Sequence, residues 1–351
     1  MSVNHFSHLI SSLLNVGLHF FLCHFSEIPI VSLTTPLPEL IEQLRNACTK
    51  VGFFYIKDHG VPQKVIENTF QCAEDFVSLD REVKNEVHYK KSSILRGSEP
   101  PAEVRTYETK KADMNEAFNW GYSPELDPTV STSDQSLGET QVPNATTGPN
   151  AWPTVPGFKP TLAAYYGEIL MLARRLIRLF AQILNLPPTY FDHMFTHPGA
   201  MCRILHYPPQ PPTSSAFGIG AHTDIECFTI LCQGTQPALQ ILNTDGEWIS
   251  APPIPGTFVV SIGDMLSYWG NDLFVSTVHR VLNVTGEERY SIPFFMGPNY
   301  ETLVEPLEGC VKEGEKNYKS ALAGDYVWRR LAKSRFSDEE YQRMFNEEVV
   351  A

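Results

Sequence analysis

Gly220-Ala221-His222-Thr223-Asp224 is the stretch on which this chain turns, taken with His279 and with Arg289-Tyr290-Ser291. His222 and Asp224 stand two residues apart, so on an extended strand both side chains point to one face. His279 follows 55 residues beyond Asp224, a separation that suits a third ligand from a distant strand of a β-barrel. Two imidazoles and one carboxylate on one face of a metal, with the other positions open, are the donor set that suits non-haem Fe(II). Arg289 and Ser291 again share a face and offer a guanidinium fork and a hydroxyl to a carboxylate. A buried carboxylate needs such a partner, because burying an unpaired charge is costly. Taken singly, His222 reads as a buried histidine bonded to a backbone carbonyl, and Arg289 as half of a structural salt bridge. The joint pattern points to a metal with an anion site beside it.

The constellation resembles the 2-oxoglutarate- and Fe(II)-dependent dioxygenases, in the branch that includes isopenicillin N synthase and the plant flavonoid and gibberellin oxygenases. Their pattern of His-x-Asp, a distant His and Arg-x-Ser is complete here. The likeness runs from Ile28 to Arg330. Ile28-Pro29-Ile30-Val31-Ser32-Leu33 looks like the family's opening strand, and Val51 to Pro62 like its N-terminal signature. Arg203-Ile204-Leu205-His206-Tyr207-Pro208-Pro209 matches a segment that usually reads Arg-x-Asn-Tyr-Tyr-Pro. Leu205 and His206 replace the Asn and the first Tyr, and Tyr207 keeps the second. In plant members that Asn and second Tyr help hold the co-substrate carboxyl next to the metal. Leu205 therefore takes away half of that contact and leaves the main clamp intact.

The resemblance implies Fe(2+) on His222, Asp224 and His279, and 2-oxoglutarate held by Arg289, Ser291 and Tyr207. It further implies O2 as oxidant, ascorbate as a reductant in vitro, and no catalytic side chain beyond the iron ligands. The implied reaction hydroxylates, desaturates or cyclises a small organic molecule, with succinate and CO2 as co-products. Phe217 to Asp224 and Ala251 to Thr257 resemble fungal members, many of which tailor secondary metabolites. Arg203, Phe295, Asn299 and the segment Met114 to Trp120 sit where the family's pocket is often lined, although each also reads as a structural residue. Two alternatives stay open at this point. One is a 2-oxoglutarate-independent iron oxidase of the isopenicillin N synthase type, whose Arg-x-Ser binds the substrate's own carboxylate. The other is a non-catalytic jelly-roll binding protein.

Composition narrows the partners. A net charge of −13 with no clustered Lys/Arg run argues against nucleic acid or an anionic membrane, and Lys90-Lys91 and Lys110-Lys111 read as solvated turns. Seven cysteines spaced singly, without CxxC, fit reduced thiols in a cytoplasmic protein better than disulfides or structural zinc. Residues 1–27 precede the family-like start. Their apolar stretch lacks a basic flank and a small-residue cleavage site, and Ser, Asn and His interrupt it. It reads as an extra amphipathic helix, an artefact of gene prediction or a weak targeting element.

Residues 28–125 form the N-terminal dioxygenase region, with strands at 28–33 and 52–57, helices at 38–51 and 63–78, and a charged helix at 80–91. A variable loop rich in Pro, Thr, Ser, Gly and Asn follows at 126–160. Residues 161–200 hold a spine helix whose apolar stripe includes Leu162, Ile169, Leu172, Leu176, Leu179 and Ile183. Residues 201–300 alternate short strands with Gly, Pro and Asp turns, including a strand at Met265 to Trp269, one at Val278 to Val284, and hairpin turns at 243–246 and Gly263-Asp264. Glu226 continues the His222/Asp224 alternation toward the barrel rim. Residues 301–351 form a helical C-terminal region. The expected fold is mainly β with α: a double-stranded β-helix, or jelly roll, with flanking N-terminal, central and C-terminal helices.

Overall fold

In Ala200–Tyr207 and Arg289–Met296 the residues split into two sets by parity. Ala200, Cys202 and Ile204 with Ile292, Phe294 and Met296 are apolar, whereas Met201, Arg203, Leu205 and Tyr207 with Arg289, Ser291 and Phe295 carry the candidate chemistry. The computed structural model, which describes residues 25–105, 112–131, 148–211, 217–283, 285–311 and 318–346, pairs these two strands antiparallel. The register sets Arg289 against Tyr207, Ser291 against Leu205 and Phe295 against Met201. One face is therefore apolar and packs on a helix, while the other faces the barrel interior.

In chain order the strands are β1 (Ile30–Ser32), β2 (Phe53–Lys57), β3 (Gly97–Glu99), β4 (Glu116–Gly121), β5 (Ala200–Tyr207), β6 (Ile219–His222) and β7 (Phe228–Gln233). There follow β8 (Leu239–Leu242), β9 (Trp248–Ser250), β10 (Thr257–Ile262), β11 (His279–Val281), β12 (Arg289–Met296), β13 (Leu303–Val304) and β14 (Ala321–Leu322). The helices are α1 (Leu37–Lys50), α2 (Gln63–Val77), α3 (Arg81–Glu86), α4 (Phe158–Ile183), α5 (Asp264–Trp269), α6 (Ala323–Arg335) and α7 (Asp338–Asn346). The large sheet runs β1-β2-β10-β7-β12-β5-β4-β3, and the small one β6-β11-β8-β9. The two sheets meet where the Phe53 ring of β2 packs edge-on against His279 of β11, 5.0 Å between centroids. This is the expected double-stranded β-helix.

α4 is the spine. Leu162, Ile169, Leu172, Leu176, Leu179 and Ile183 are all buried against the outer face of the large sheet. Tyr166 meets Phe294 at 5.2 Å and Phe180 meets Phe228 at 5.1 Å, both edge-on. The helix stops before Asn185, which turns left-handed at φ 59°, and Pro187 cannot extend it. Trimming Leu176, fully buried there, to Ala removes about 2–5 kcal/mol.

Several local expectations are corrected. Met265 to Trp269 is helix α5, not a strand: Met265, Leu266 and Trp269 are buried at i, i+1 and i+4, and a short apolar run does not reveal its period. Gly263-Asp264 starts that helix instead of turning a hairpin. Gly263 is needed for close approach, since a Cβ there would stand 2.2 Å from the Glu226 carbonyl oxygen. The strand at Val278 to Val284 shrinks to β11, and the charged helix at 80–91 to α3 and a 3-10 turn at Tyr89–Lys91. Strands β3, β4 and β9 are not among the expected ones, and neither is the short β13–β14 pair within the C-terminal region expected to be helical. Residues 1–24, Lys110-Lys111 and residues 132–147 of the 126–160 loop lie outside the described residues.

Candidate active site

His222 ends β6 and His279 begins β11, and the two are direct register partners. Their rings lie 4.2 Å apart by centroid. Asp224 comes from the turn just past β6, so the shared face expected of one strand is supplied by a strand end and a turn. Its Oδ1 stands 3.6 Å from His279 Nε2 and 3.9 Å from His222 Nε2. The three side chains offer ligand atoms all within 4.8 Å of one another, a spacing a single ion can span.

Surrounding groups orient the donors. His222 Nδ1 lies 2.8 Å from the Gly220 carbonyl oxygen and His279 Nδ1 lies 3.2 Å from that of Thr277. A carbonyl only accepts, so each Nδ1 carries the proton and each Nε2 keeps its lone pair toward the centre. Thr229 and Ser261 hydroxyls donate to Asp224 Oδ2 at 2.7 and 2.6 Å. That leaves Oδ1 for a monodentate bond. Burial would push the Asp224 carboxyl up; the two imidazoles and the two hydroxyls outweigh it and hold it below the ordinary carboxylate range. The donor set fits Fe(II).

At the far end of the same interior, Arg289 is 1% exposed. Its Nε donates to the Gln236 carbonyl at 3.3 Å and its Nη1 to the Ser291 hydroxyl at 3.3 Å. The Tyr207 ring carries the guanidinium at 4.7 Å from its centroid. Arg289 Nη2 is buried without a partner, and no carboxylate pairs with Arg289 among the described residues. A buried, hydrogen-bond-deficient cation of this kind fits a carboxylate such as that of 2-oxoglutarate.

Between the triad and the protein surface lies a cavity of about 140 Å³. Met201, Arg203 and Leu205 of β5 and Phe295 of β12 form one wall. Leu205, standing where the family usually has Asn, presents only hydrocarbon. Of the Met114–Trp120 segment, Asn115 reaches the cavity, whereas Phe118 and Trp120 belong to the outer core. Asn299 is not brought to the site. Its side chain accepts from the His197 amide and donates to the His193 carbonyl and the Thr196 hydroxyl, bracing a loop.

One group is misplaced in the sequence reading and another is missed. Glu226 is not at the rim: it is 3% exposed and lines the cavity, where burial first and Asp224 second push its carboxyl up to about 8. The alternation His222, Asp224, Glu226 carried the signal for it. Arg330, Leu331, Ser334 and Arg335 of α6 form the opposite wall. Arg335 and Arg203 share Glu99, at 2.6 Å each, and Arg330 reaches Asp264 at 3.2 Å. No sequence period links α6 to β3, so only the fold reveals these pairs.

Comparison with known proteins agrees with this geometry. Residues 198–298 match the 2OG-Fe(II) oxygenase superfamily, and residues 28–154 the N-terminal region described as non-haem dioxygenase in morphine synthesis. The chain is 36% identical over 330 residues to a 2-oxoglutarate-Fe(II) type oxidoreductase, ppzC, of Metarhizium rileyi, covering 87% of each. It is 32% identical to a homoarginine-6-hydroxylase of Glycine max, covering 86% of this chain and 96% of the other. A full-length Neurospora crassa protein, solved in complex with alpha-KG, superposes with a TM-score of 0.74 at 28% identity, over 87% of this chain and 95% of that one. A second structure of the same Neurospora protein also holds thymine. No helix among the described residues is long and apolar enough to cross a membrane.

Proposed function

The chain belongs to the 2OG-Fe(II) oxygenase superfamily, and from that premise we propose which residues do its work and what kind of molecule it oxidises. It is a 2-oxoglutarate-dependent dioxygenase that uses Fe(2+) and 2-oxoglutarate. In our reading His222, Asp224 and His279 hold the iron, and Arg289 and Ser291 take the distal carboxylate of 2-oxoglutarate, with Tyr207 stacked beneath the guanidinium. When bound, the iron and 2-oxoglutarate supply the oxidising chemistry, with succinate and CO2 as products. The protein's own residues orient the ligands, neutralise the co-substrate's charge and keep water out. Met201, Leu205, Ile219 and Phe295 give the cavity beside the triad an apolar lining that serves this last task.

The substrate, on this reading, is a small organic molecule that lays an apolar face against Phe295 and presents a carboxylate or carbonyl oxygen to Arg203. One observation carries that choice. Arg203 lines the cavity, yet among the described residues it makes a single hydrogen bond, to Glu99, and its Nε is buried without a partner. Homoarginine and thymine, named for or bound by the relatives above, both carry such oxygens. A place in secondary metabolism rests on the likeness to fungal tailoring members.

The test is succinate release with Fe(II), ascorbate, O2 and 2-oxoglutarate across a panel of small carboxylates and lactams. For any molecule that stimulates turnover, Arg203→Met should raise its KM and leave the KM for 2-oxoglutarate alone. A stimulating substrate indifferent to Arg203→Met would overturn the anchoring role.

A further inference from the structure

Asp264, at the first turn of α5, is only 7% exposed and collects hydrogen bonds from three separate parts of the chain. Its Oδ2 accepts from the hydroxyl of Thr223, the residue between the two ligands of the His222/Asp224 loop, at 3.3 Å. Its Oδ1 accepts from Ser276 at 2.7 Å, three residues before His279. Its backbone amide donates to the Asp224 carbonyl at 2.9 Å. From the C-terminal helix α6 it accepts the Tyr326 hydroxyl at 3.0 Å and Arg330 Nη1 at 3.2 Å. One carboxylate thus ties both approaches to the metal ligands to the helix that walls the cavity.

We propose that Asp264 is a positioning residue through which the seating of α6 sets the geometry of the metal-ligand loop. Thr223 and Ser276 can hold Asp264 only in the rotamer that Tyr326 and Arg330 also require, because all four donate to the same two oxygens. When α6 lifts, Asp264 becomes a buried carboxylate short of two donors, and it must turn toward the remaining ones or toward water. Either movement pulls on Thr223 and on the Asp224 carbonyl. α6 has a second fastening, Arg335 on Glu99, which also holds Arg203. The same helix is therefore linked to Arg203 through Glu99 at one end and to the metal loop through Asp264 near its middle.

The proposal rests on His222, Asp224 and His279 being the iron ligands, and its test separates the two ideas. Fe(II) is titrated anaerobically into the full chain, and the visible charge-transfer band is recorded after 2-oxoglutarate is added. The variants are Tyr326→Phe/Arg330→Met, the milder Tyr326→Phe, Asp264→Asn, and Arg335→Met, which frees the other end of α6 without touching Asp264. The double variant is expected to weaken Fe(II) binding by about tenfold or more, the range of groups that brace metal ligands, and to shift the band. Tyr326→Phe should follow in the same direction, which keeps the idea testable if Asp264→Asn fails to fold. Arg335→Met should lower the melting temperature at least as much and leave Fe(II) affinity as it is. Wild-type Fe(II) affinity in the double variant would overturn the proposal, and so would an equal loss in Arg335→Met, which would mean generic helix packing. If His279→Ala bound Fe(II) like the wild type, the metal assignment itself would fall, and the proposal with it.

Discussion

Arg289 and Arg203 lie on neighbouring strands of one interior wall, both shielded from solvent, and they are neutralised in different ways. Arg203 has a carboxylate of the protein, Glu99, which it shares with Arg335. Among the described residues Arg289 has only neutral oxygens, the Gln236 carbonyl and the Ser291 hydroxyl, and a tyrosine ring. A buried guanidinium without a counter-ion is unfavourable, which is why we propose that the carboxylate of a ligand pairs with Arg289. One end of the wall has its charge balanced by the protein, and in our proposal the other end is kept for the carboxylate of a ligand.

The contrast is broken hardest at Glu99. Glu99→Gln leaves two buried arginines facing each other, and a loss of about 3–5 kcal/mol in unfolding free energy is expected by chemical denaturation. Affinity for 2-oxoglutarate should stay close to wild type. The pH dependence follows in sign. Burial raises the Glu99 carboxyl's pKa, but Arg203 and Arg335 outweigh it and hold it below its ordinary 4.5. Its stabilising contribution is therefore complete above that value and is lost as the pH falls through the depressed folded-state value. Acid unfolding of Glu99→Gln should lack this component; an identical acid profile would remove Glu99 from the account.

Arg289→Met is the mirror experiment. With Fe(II) present, 2-oxoglutarate binding should weaken by about 2–5 kcal/mol, the cost of removing one partner of a buried charge pair. Stability of the ligand-free protein should hold or rise, because an unpaired buried charge is gone. Calorimetric titration and a melting curve on the same sample decide it. If Arg289→Met lowered the melting temperature as much as Glu99→Gln does, Arg289 would be structural and the two ends of the wall would be alike.

How far this contrast was legible before the fold was known depends on range along the chain. His222, Asp224, Arg289 and Ser291 announce themselves because each pair is two residues apart; β12 turns that spacing into a shared face for Arg289 and Ser291, whereas a strand end and the turn after it bring His222 and Asp224 together. The spine helix was readable for the same reason, its stripe recurring every turn from Leu162 to Ile183. Glu99, Asp264 and Arg335 were not, because what makes them matter is partners across the fold: Glu99 meets Arg335 236 residues away. Met265 to Trp269 failed differently. Its apolar residues fit either period over so short a run, and the choice was made by Gly263, whose close approach to Glu226 starts the helix. Asn299, a residue at a family-like pocket position, is consumed by loop hydrogen bonds that no local pattern foretells.

The finest test of the unbalanced end is Ser291→Ala. The Ser291 hydroxyl now accepts from Arg289 Nη1, and it is 1% exposed in a register position opposite Leu205. If it also donates to the incoming carboxylate, its removal costs one hydrogen bond to a charged group, about 1.5–3 kcal/mol, less whatever Arg289 regains by turning fully to the ligand. The expected result is a rise in the KM for 2-oxoglutarate of about tenfold, smaller than for Arg289→Met, with kcat nearly unchanged. Stability should change little, since the serine's partner keeps its bond to Gln236. Because Arg289 and Ser291 would grip one carboxylate, their effects should not add: in the Arg289→Met background Ser291→Ala should cost less than it does alone. Full additivity would mean that the two residues touch different groups, and the single-carboxylate clamp would have to be redrawn.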